Sequence, residues 1–538
     1  MSKKIAVLCV LLTATIAMAI VPVSMRMRGL NPGLVGIVDD EYSDLFFNPA
    51  FINHIDGNRV YTNLSNIHNY GQDMIFDPDY APDLYYNLLG GVTSCHNMKV
   101  GGILETGGYN SVMTDNEYTT DITGNSTYVD STTDVTVDKN LSTAFDLFLG
   151  KRISNYDVGL FIAPQGVNYE QSEKTSDNTY YYVNDTLNEF DHSSEDVISS
   201  EKKFMVPVMV GMITGEPSNE YSAALSFAFD RGNSVLPVDI LTSDVTDEIQ
   251  NILQSHNESF EKMQQKEKLT GSYFNLNGRN KRRYEDHSFS FLGSISYAHE
   301  PITESAIDSV YDISMPMSGE KTEYTAFATQ TAKGSMNYLD IALGVGAEKH
   351  FDAMNTENMF AIGVIPSFFT GAEKLTVSPI DTNVIFWSNN ISRDTFAYTM
   401  FGTNGEFYNI KECFSGLGIS VPMGLETHIT DKLVLRLGAT EDFMLKTKDH
   451  YEVSLADSGW KNVYTQTEPF DTIITNQEPS GELDSYTGIS ENKTSFANST
   501  SYYYGLGYKI SDNIELNFIN YAQLTDLRTW VLGVNIKF

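Results

Sequence analysis

Eight consecutive residues, Leu45, Phe46, Phe47, Asn48, Pro49, Ala50, Phe51 and Ile52, form the stretch best suited to chemistry, and that chemistry is binding. Large apolar side chains stand on both arms of an Asn-Pro turn. Proline fixes φ and has no N–H to donate, so backbone pairing breaks and the chain turns there. The two arms would line a pocket for a hydrophobic small molecule, with Asn48 and Pro49 shaping the turn. A second cluster, Arg279, Lys281, Arg282 and Arg283, is the one dense run of positive charge. It reads either as a contact for the phosphates of lipopolysaccharide or as a solvated loop tip. A third, Asp77, Asp79 and Asp83, offers the oxygens calcium prefers. Two prolines stiffen it and the turn glycine is missing, so it reads as an acidic loop without metal. The chain has no G-x-S-x-G, H-E-x-x-H, Walker or C-x-x-C pattern. The expectation is therefore no enzyme, no cofactor and no metal.

Composition narrows the partners. The chain has 538 residues with 35 Lys+Arg against 70 Asp+Glu, a formal charge of −35. Binding a phosphate backbone needs clustered basic residues, so nucleic acid is excluded. Lys3 and Lys4, the apolar run Ile5 to Ile16 and Ala17-Met18-Ala19 read as a signal peptide over residues 1–19. No other run is long and apolar enough for a membrane-spanning helix. Past the leader, Cys95 and Cys413 remain. They are expected at opposite ends of the fold as separate thiols.

The elements that must position these residues are strands. In the last ten residues, Trp530, Leu532, Val534, Ile536 and Phe538 are apolar and alternate with mostly small or polar neighbours. Successive strand residues point to opposite faces, so this segment has one apolar face. Similar strands recur through the chain, joined by short turns at one end. At the other end they are joined by long Ser-, Thr-, Asn-, Asp- and Tyr-rich segments: 66–83, 111–140, 166–200, 230–284, 372–408 and 447–495. That asymmetry is the pattern of outer-membrane barrels. The expected fold is all-β: a transmembrane antiparallel β-barrel of 14 strands over residues 58–538, or 16 if Val60–Ile67 and Ile302–Met315 both span. An N-terminal hatch over residues 20–57 and long extracellular loops complete it. Helical spacing of Ile249, Ile252, Leu253, His256, Phe260 and Met263 predicts a helix at about 246–265 within one loop.

A leader, an N-terminal segment carrying Asn48-Pro49-Ala50 and a large barrel ending in an aromatic together resemble the long-chain fatty-acid transporter (FadL-like) family and its PorV-like relatives. The resemblance implies an outer-membrane location, with a hatch in the barrel and the Asn-Pro-Ala region at an inner pocket. It also implies a final strand, Trp530 to Phe538, that serves as the signal for the barrel-assembly machinery. The expected partners are outer-membrane lipid and lipopolysaccharide, with either a hydrophobic ligand or, in a PorV-like scaffold, secreted proteins held by the outer loops.

Overall fold

Strands with one apolar and one polar face pair edge to edge until the first meets the last, because a closed sheet leaves no unpaired edge. The computed structural model describes residues 23–64, 86–183, 186–248, 253–315, 321–353, 356–377, 380–389, 395–404, 407–457, 462–467, 472–477, 490–492, 494–520 and 530–538. The expected signal peptide, the Asp77, Asp79 and Asp83 stretch and the turn before the last strand lie outside them.

Sixteen antiparallel strands make the wall. They are β1 Arg59–Leu64, β2 Tyr86–Cys95, β3 Met98–Thr123, β4 Ser126–Ile153, and β5, which runs over Tyr156–Ile162 and resumes over Gln165–Val183. Next come β6 Thr186–Glu216, β7 Asn219–Glu248, β8 Leu253–Arg283, β9 His287–Met315, β10 Lys321–Ala353 and β11 Thr356–Val377. β12 Phe407–His428, β13 Leu433–Asp457, β14 Ser495–Ser511, β15 Ile514–Asn520 and β16 Trp530–Lys537 complete the circuit. Each pairs with the next, and β1 closes on β16 in the register Arg59↔Lys537 to Leu64↔Leu532. The number is therefore sixteen and not fourteen. Among the described residues, two hairpins do not enter the circuit: Ile380–Asn389 with Thr395–Asn404, which pairs with the start of β10, and Asn462–Thr467 with Thr472–Gln477, a separate two-stranded sheet.

The wall is apolar on its outer face. On β9, Phe289 and Phe291 are exposed while Ser288 and Ser290 between them are buried. On β11, Phe360, Ile362, Val364 and Phe368 are exposed while Met359, Ala361 and Phe369 are buried. In water this arrangement would be unfavourable at about 25 cal/mol per Å² of exposed apolar surface; against hydrocarbon it is the stable one. Phe360 to Phe368 spans roughly 27 Å along the strand, comparable with the ~25 Å apolar band of transmembrane barrels.

Two further expectations are corrected. The predicted helix at 246–265 is strand over its described part: β8 runs unbroken from Leu253 and pairs with both β7 and β9. A ladder on each side satisfies every backbone group, and this tertiary pairing outweighs the local helical spacing. Of the segments read as loops, the described residues of 111–140, 166–200 and 230–284 are largely the same strands continued. β6 has 31 residues and β10 has 33, which corresponds to roughly 100 Å of extended chain. Ser126 to Val137, rich in Thr, Val and Tyr, shows why: these residues favour strand even without an apolar face.

At the other end the turns are short. His96 and Asn97, with φ of 46° and 62°, form the tight link between β2 and β3. Tyr284–Asp286 links β8 to β9, and Asp512-Asn513 links β14 to β15. The start of β1 and the end of β16 lie at this same end. Cys95 sits here, while Cys413 lies well along β12, and both are free.

Candidate functional site

The N-terminal segment is one short unit built twice. In the first, Ser24 Oγ accepts from the Met27 N–H (3.0 Å) to cap helix α1, Met25–Leu30. Asn31 and Pro32 then open a 3₁₀ turn over Pro32–Leu34. In the second, Asp40 Oδ1 accepts from the Ser43 N–H (2.9 Å) to cap α2, Glu41–Phe47. Asn48 and Pro49 then open a 3₁₀ turn over Pro49–His54. Ser and Asp are strong N-caps, and Pro suits the first turn position because it has no N–H to leave unpaired.

Each asparagine also pegs its unit to the wall. Asn31 Oδ1 accepts from Gly33 N–H (2.8 Å), and its Nδ2 donates to the carbonyls of Met423 (3.1 Å) and Ala439 (2.8 Å). Asn48 Oδ1 accepts from Ala50 N–H (2.9 Å), and its Nδ2 donates to the carbonyls of Met212 (3.2 Å) and Ala223 (3.1 Å). Met423 and Ala439 are direct cross-strand partners of β12 and β13, and Met212 and Ala223 of β6 and β7. Each peg therefore enters between two facing carbonyls. Glycine makes both seats possible: a Cβ at Gly211 would overlap Asn48 Oδ1, and one at Gly438 would overlap the Leu30 carbonyl. The segment thus touches β6 and β7 on one side and β12 to β15 on the other. It can reach both only through the bore, which it occupies at the short-turn end.

Charge completes the attachment. Lys281 Nζ, fully buried, lies 3.0 Å from Asp39 Oδ1 and 3.0 Å from Glu348 Oε2, and donates to the Ile37 carbonyl at 2.7 Å. Arg279 meets Glu220 Oε1 at 2.6 Å and Asp44 Oδ1 at 3.4 Å. Its guanidinium lies 4.5 Å from the centre of the Phe51 ring. Arg283 makes a two-pronged contact with Asp39, 3.1 Å on each prong. Across the bore, Arg26 binds Glu426 (2.9 and 3.2 Å), and Glu426 also accepts from Arg436 Nε at 2.7 Å.

These placements overturn one reading. Arg279, Lys281, Arg282 and Arg283 are not at an outer rim facing lipopolysaccharide. They end β8 just before the short turn, and Arg279 and Lys281 point into the bore with fully buried side chains. Arg282 is exposed, at the short-turn end. The expectation treated 230–284 as one loop, whereas it holds the top of β7 and all of β8.

The residues expected to line a pocket are together, packed against the wall. Leu45, Phe46 and Ile52 join Phe148 and Phe161 in one apolar cluster, and Phe47, Ala50 and Phe51 join Ile213 in another. Phe46 meets Phe148 and Phe161 edge-on at 5.2 and 5.8 Å. In β16, Gly533 is buried and the side chains of Leu532, Val534 and Ile536 are on the opposite face; Phe538 is exposed. Phe538 exchanges backbone hydrogen bonds with Asn58, so the closing seam adjoins the segment's end. Several ladder gaps fall at prolines, among them Pro237, Pro301 and Pro366. Ala163-Pro164 interrupts β5 opposite Pro207, and the β11–β12 pairing skips Val421-Pro422.

Asn31, Asp39, Asp44, Glu220, Glu348, Arg26, Glu426 and Arg436 were not singled out from sequence. A signal existed for the wall members: each has the strand parity of a buried neighbour, opposite to the exposed apolar residues. Arg436 inside Leu-Val-Leu-Arg-Leu is the clearest case.

Burial pushes the Asp44 carboxyl up to about 7, with Asp39 and Asp40 adding to the rise against the pull of Arg279. Burial would also raise Asp39, but Lys281, Arg279 and Arg283 together hold it well below the usual carboxylate range. The signs are opposite. Asp44 binds its proton more tightly when docked, so its contribution to docking is full below about 4, falls as pH rises to about 7 and is then flat. Asp39 stabilises docking above the ordinary carboxylate range and loses that effect only in stronger acid. Amide-exchange protection of α2 should therefore decline between about pH 4 and 7. Asp44→Asn should flatten the decline, and an unchanged slope in that variant would refute the assignment.

No family model and no curated protein matches the chain. Among solved structures, two mutants of the ferric enterobactin receptor PfeA from Pseudomonas aeruginosa are similar to it at 7% identity, over 90% of this chain and 80% of theirs. Their TM-scores are 0.20 and 0.19, and likeness at that level assigns neither family nor activity.

Proposed function

We propose that the protein is an outer-membrane channel whose bore is closed by its N-terminal segment and opened when that segment shifts, admitting a hydrophobic small molecule such as a fatty acid. The observation that carries this reading is the plug: a pegged and ion-paired segment across the bore of a barrel with an apolar outer belt. An open porin has no use for it. The chemistry is capture and release, not catalysis. A ligand entering from the long-strand end meets the plug, and a shift of the plug opens a path past the apolar segment around Asn48 and Pro49 to the short-turn side. Support for the substrate class is the aromatic and aliphatic character of Leu45, Phe46, Phe47, Phe51 and Ile52 and the resemblance to fatty-acid transporters.

Proteoliposomes carrying the protein should take up a fluorescent long-chain fatty acid faster than protein-free vesicles. Uptake at the protein-free rate, with no binding to the purified protein, would reject the substrate class. A second reading is a PorV-like scaffold holding secreted proteins. It is favoured by strands that continue far past the apolar belt, and co-purification of a secreted protein without uptake would support it over the first.

A further inference from the structure

Resting on that gated-channel reading, we propose that the plug opens as two leaves: residues 23–38 swing away from the wall while residues 40–57 stay seated, with Asp39 as the pivot. The duplication supplies the leaves, since each unit has its own cap, its own Asn-Pro peg and its own seat, on different strand pairs. The joint between them is Val35 to Val38, a tight turn with Gly36 at φ 82°, a backbone conformation that favours glycine. Asp39 follows directly and is held by Arg283 and Lys281 of β8.

The seats are unequal. The second leaf buries Tyr42 and Phe46 among wall aromatics and Phe51 against Ile213, and the Tyr42 hydroxyl donates to Glu105 at 3.0 Å. It is also tied to the closing seam: Glu41 takes a two-pronged contact from Arg59 of β1 (2.7 and 2.8 Å), and Lys99 Nζ donates to the Ile55 carbonyl at 2.7 Å. It runs without a break into β1, so it cannot travel far. The first leaf has no aromatic residue between Val23 and Val38. Its Leu30, Leu34 and Ile37 lie on glycines: a Cβ at Gly424 would come within 2.8 Å of Leu30 and Leu34, and one at Gly346 within 2.6 Å of Ile37. A glycine seat lets backbones approach closely but offers less apolar surface to hold the leaf than an aromatic one. The bonds that must break are the Asn31 peg, the contacts of Arg26 with Glu426, the Lys281 bond to the Ile37 carbonyl, and those that link the leaves: the Ser24 N–H to Ser43 Oγ (2.9 Å), and Arg26 to the Asp39 carbonyl (2.9 Å) and to Asp40 (3.8 Å).

The test uses the full chain with Cys9→Ser, Cys95→Ser and Cys413→Ser, folded in detergent and checked by its heat-dependent gel shift. One thiol is introduced per variant at a fully buried position: Met27→Cys in the first leaf or Leu45→Cys in the second. A hydrophilic maleimide should label position 27 at least tenfold faster than position 45. Equal rates, or a faster position 45, would overturn the two-leaf opening while leaving a gate that moves as one body. Labelling of neither, except after denaturation, would overturn both this inference and the gated channel. Leu30→Cys and Ile52→Cys repeat the comparison should either first variant lose the folded shift.

Discussion

Lys281→Met is expected to free the plug from the wall. The ammonium it removes is fully buried and serves Asp39, Glu348 and the Ile37 carbonyl at 2.7–3.0 Å. Methionine fills nearly the same volume, so packing is largely kept and charge is lost. Removing one partner of a buried ion pair costs about 3–5 kcal/mol, because the remaining charge is stranded. At about 1.4 kcal/mol per factor of ten, the undocked fraction should rise by roughly two to three and a half orders of magnitude. Arg26 and Arg28 lie in the first leaf, so tryptic cleavage there reads the change directly. Adding Glu348→Gln to Lys281→Met should recover part of the loss, because the stranded carboxylate is then neutral. Arg282→Met, at an exposed neighbour, should leave the rate unchanged. A cleavage rate unaltered by Lys281→Met would mean that this cluster does not hold the plug.

The barrel was legible because alternation is local: Trp530 to Phe538 can be read without knowing what they pair with. The strand number was half legible. β1 and the upper part of β9 belong to one circuit only through their partners, Lys537 at the far end of the chain for Arg59 and residues 256–269 for the latter. The long segments look irregular in sequence because they are polar, whereas Thr- and Val-rich strands need no apolar face when both edges are paired. The helix at 246–265 failed for the same reason. In the plug, Asn48 was found because bulky residues surround its Asn-Pro pair. Its twin Asn31 has the same chemistry but stands between glycines and aliphatics, with no bulky aromatics to mark it. The ion pairs were out of reach of any local pattern: Arg26 and Glu426 are 400 residues apart, and Lys281 and Ile37 are 244 apart.

A disulfide between the first leaf and the wall should close the channel, and the structure supplies the pair. A Cβ at Gly346 would lie 2.6 Å from Ile37 Cγ1 and 2.8 Å from its Cγ2. Those atoms are one bond beyond the Ile37 Cβ, so the two Cβ atoms of Ile37→Cys with Gly346→Cys lie roughly 3 Å apart, and the leaf need yield by only about 0.5–1 Å to reach the ~3.5–4.5 Å a disulfide needs. With Cys9, Cys95 and Cys413 replaced by Ser, this is the only disulfide that can form within the chain. Locking the leaf leaves the belt, the seam and the second leaf as they are, so a change in transport reports on plug movement alone. The measurement is uptake of a fluorescent long-chain fatty acid by proteoliposomes carrying this variant, oxidised and then reduced with dithiothreitol. A plug that must move predicts uptake at the protein-free rate when oxidised and recovery on reduction. Equal uptake in the two states, with the disulfide verified, would contradict it.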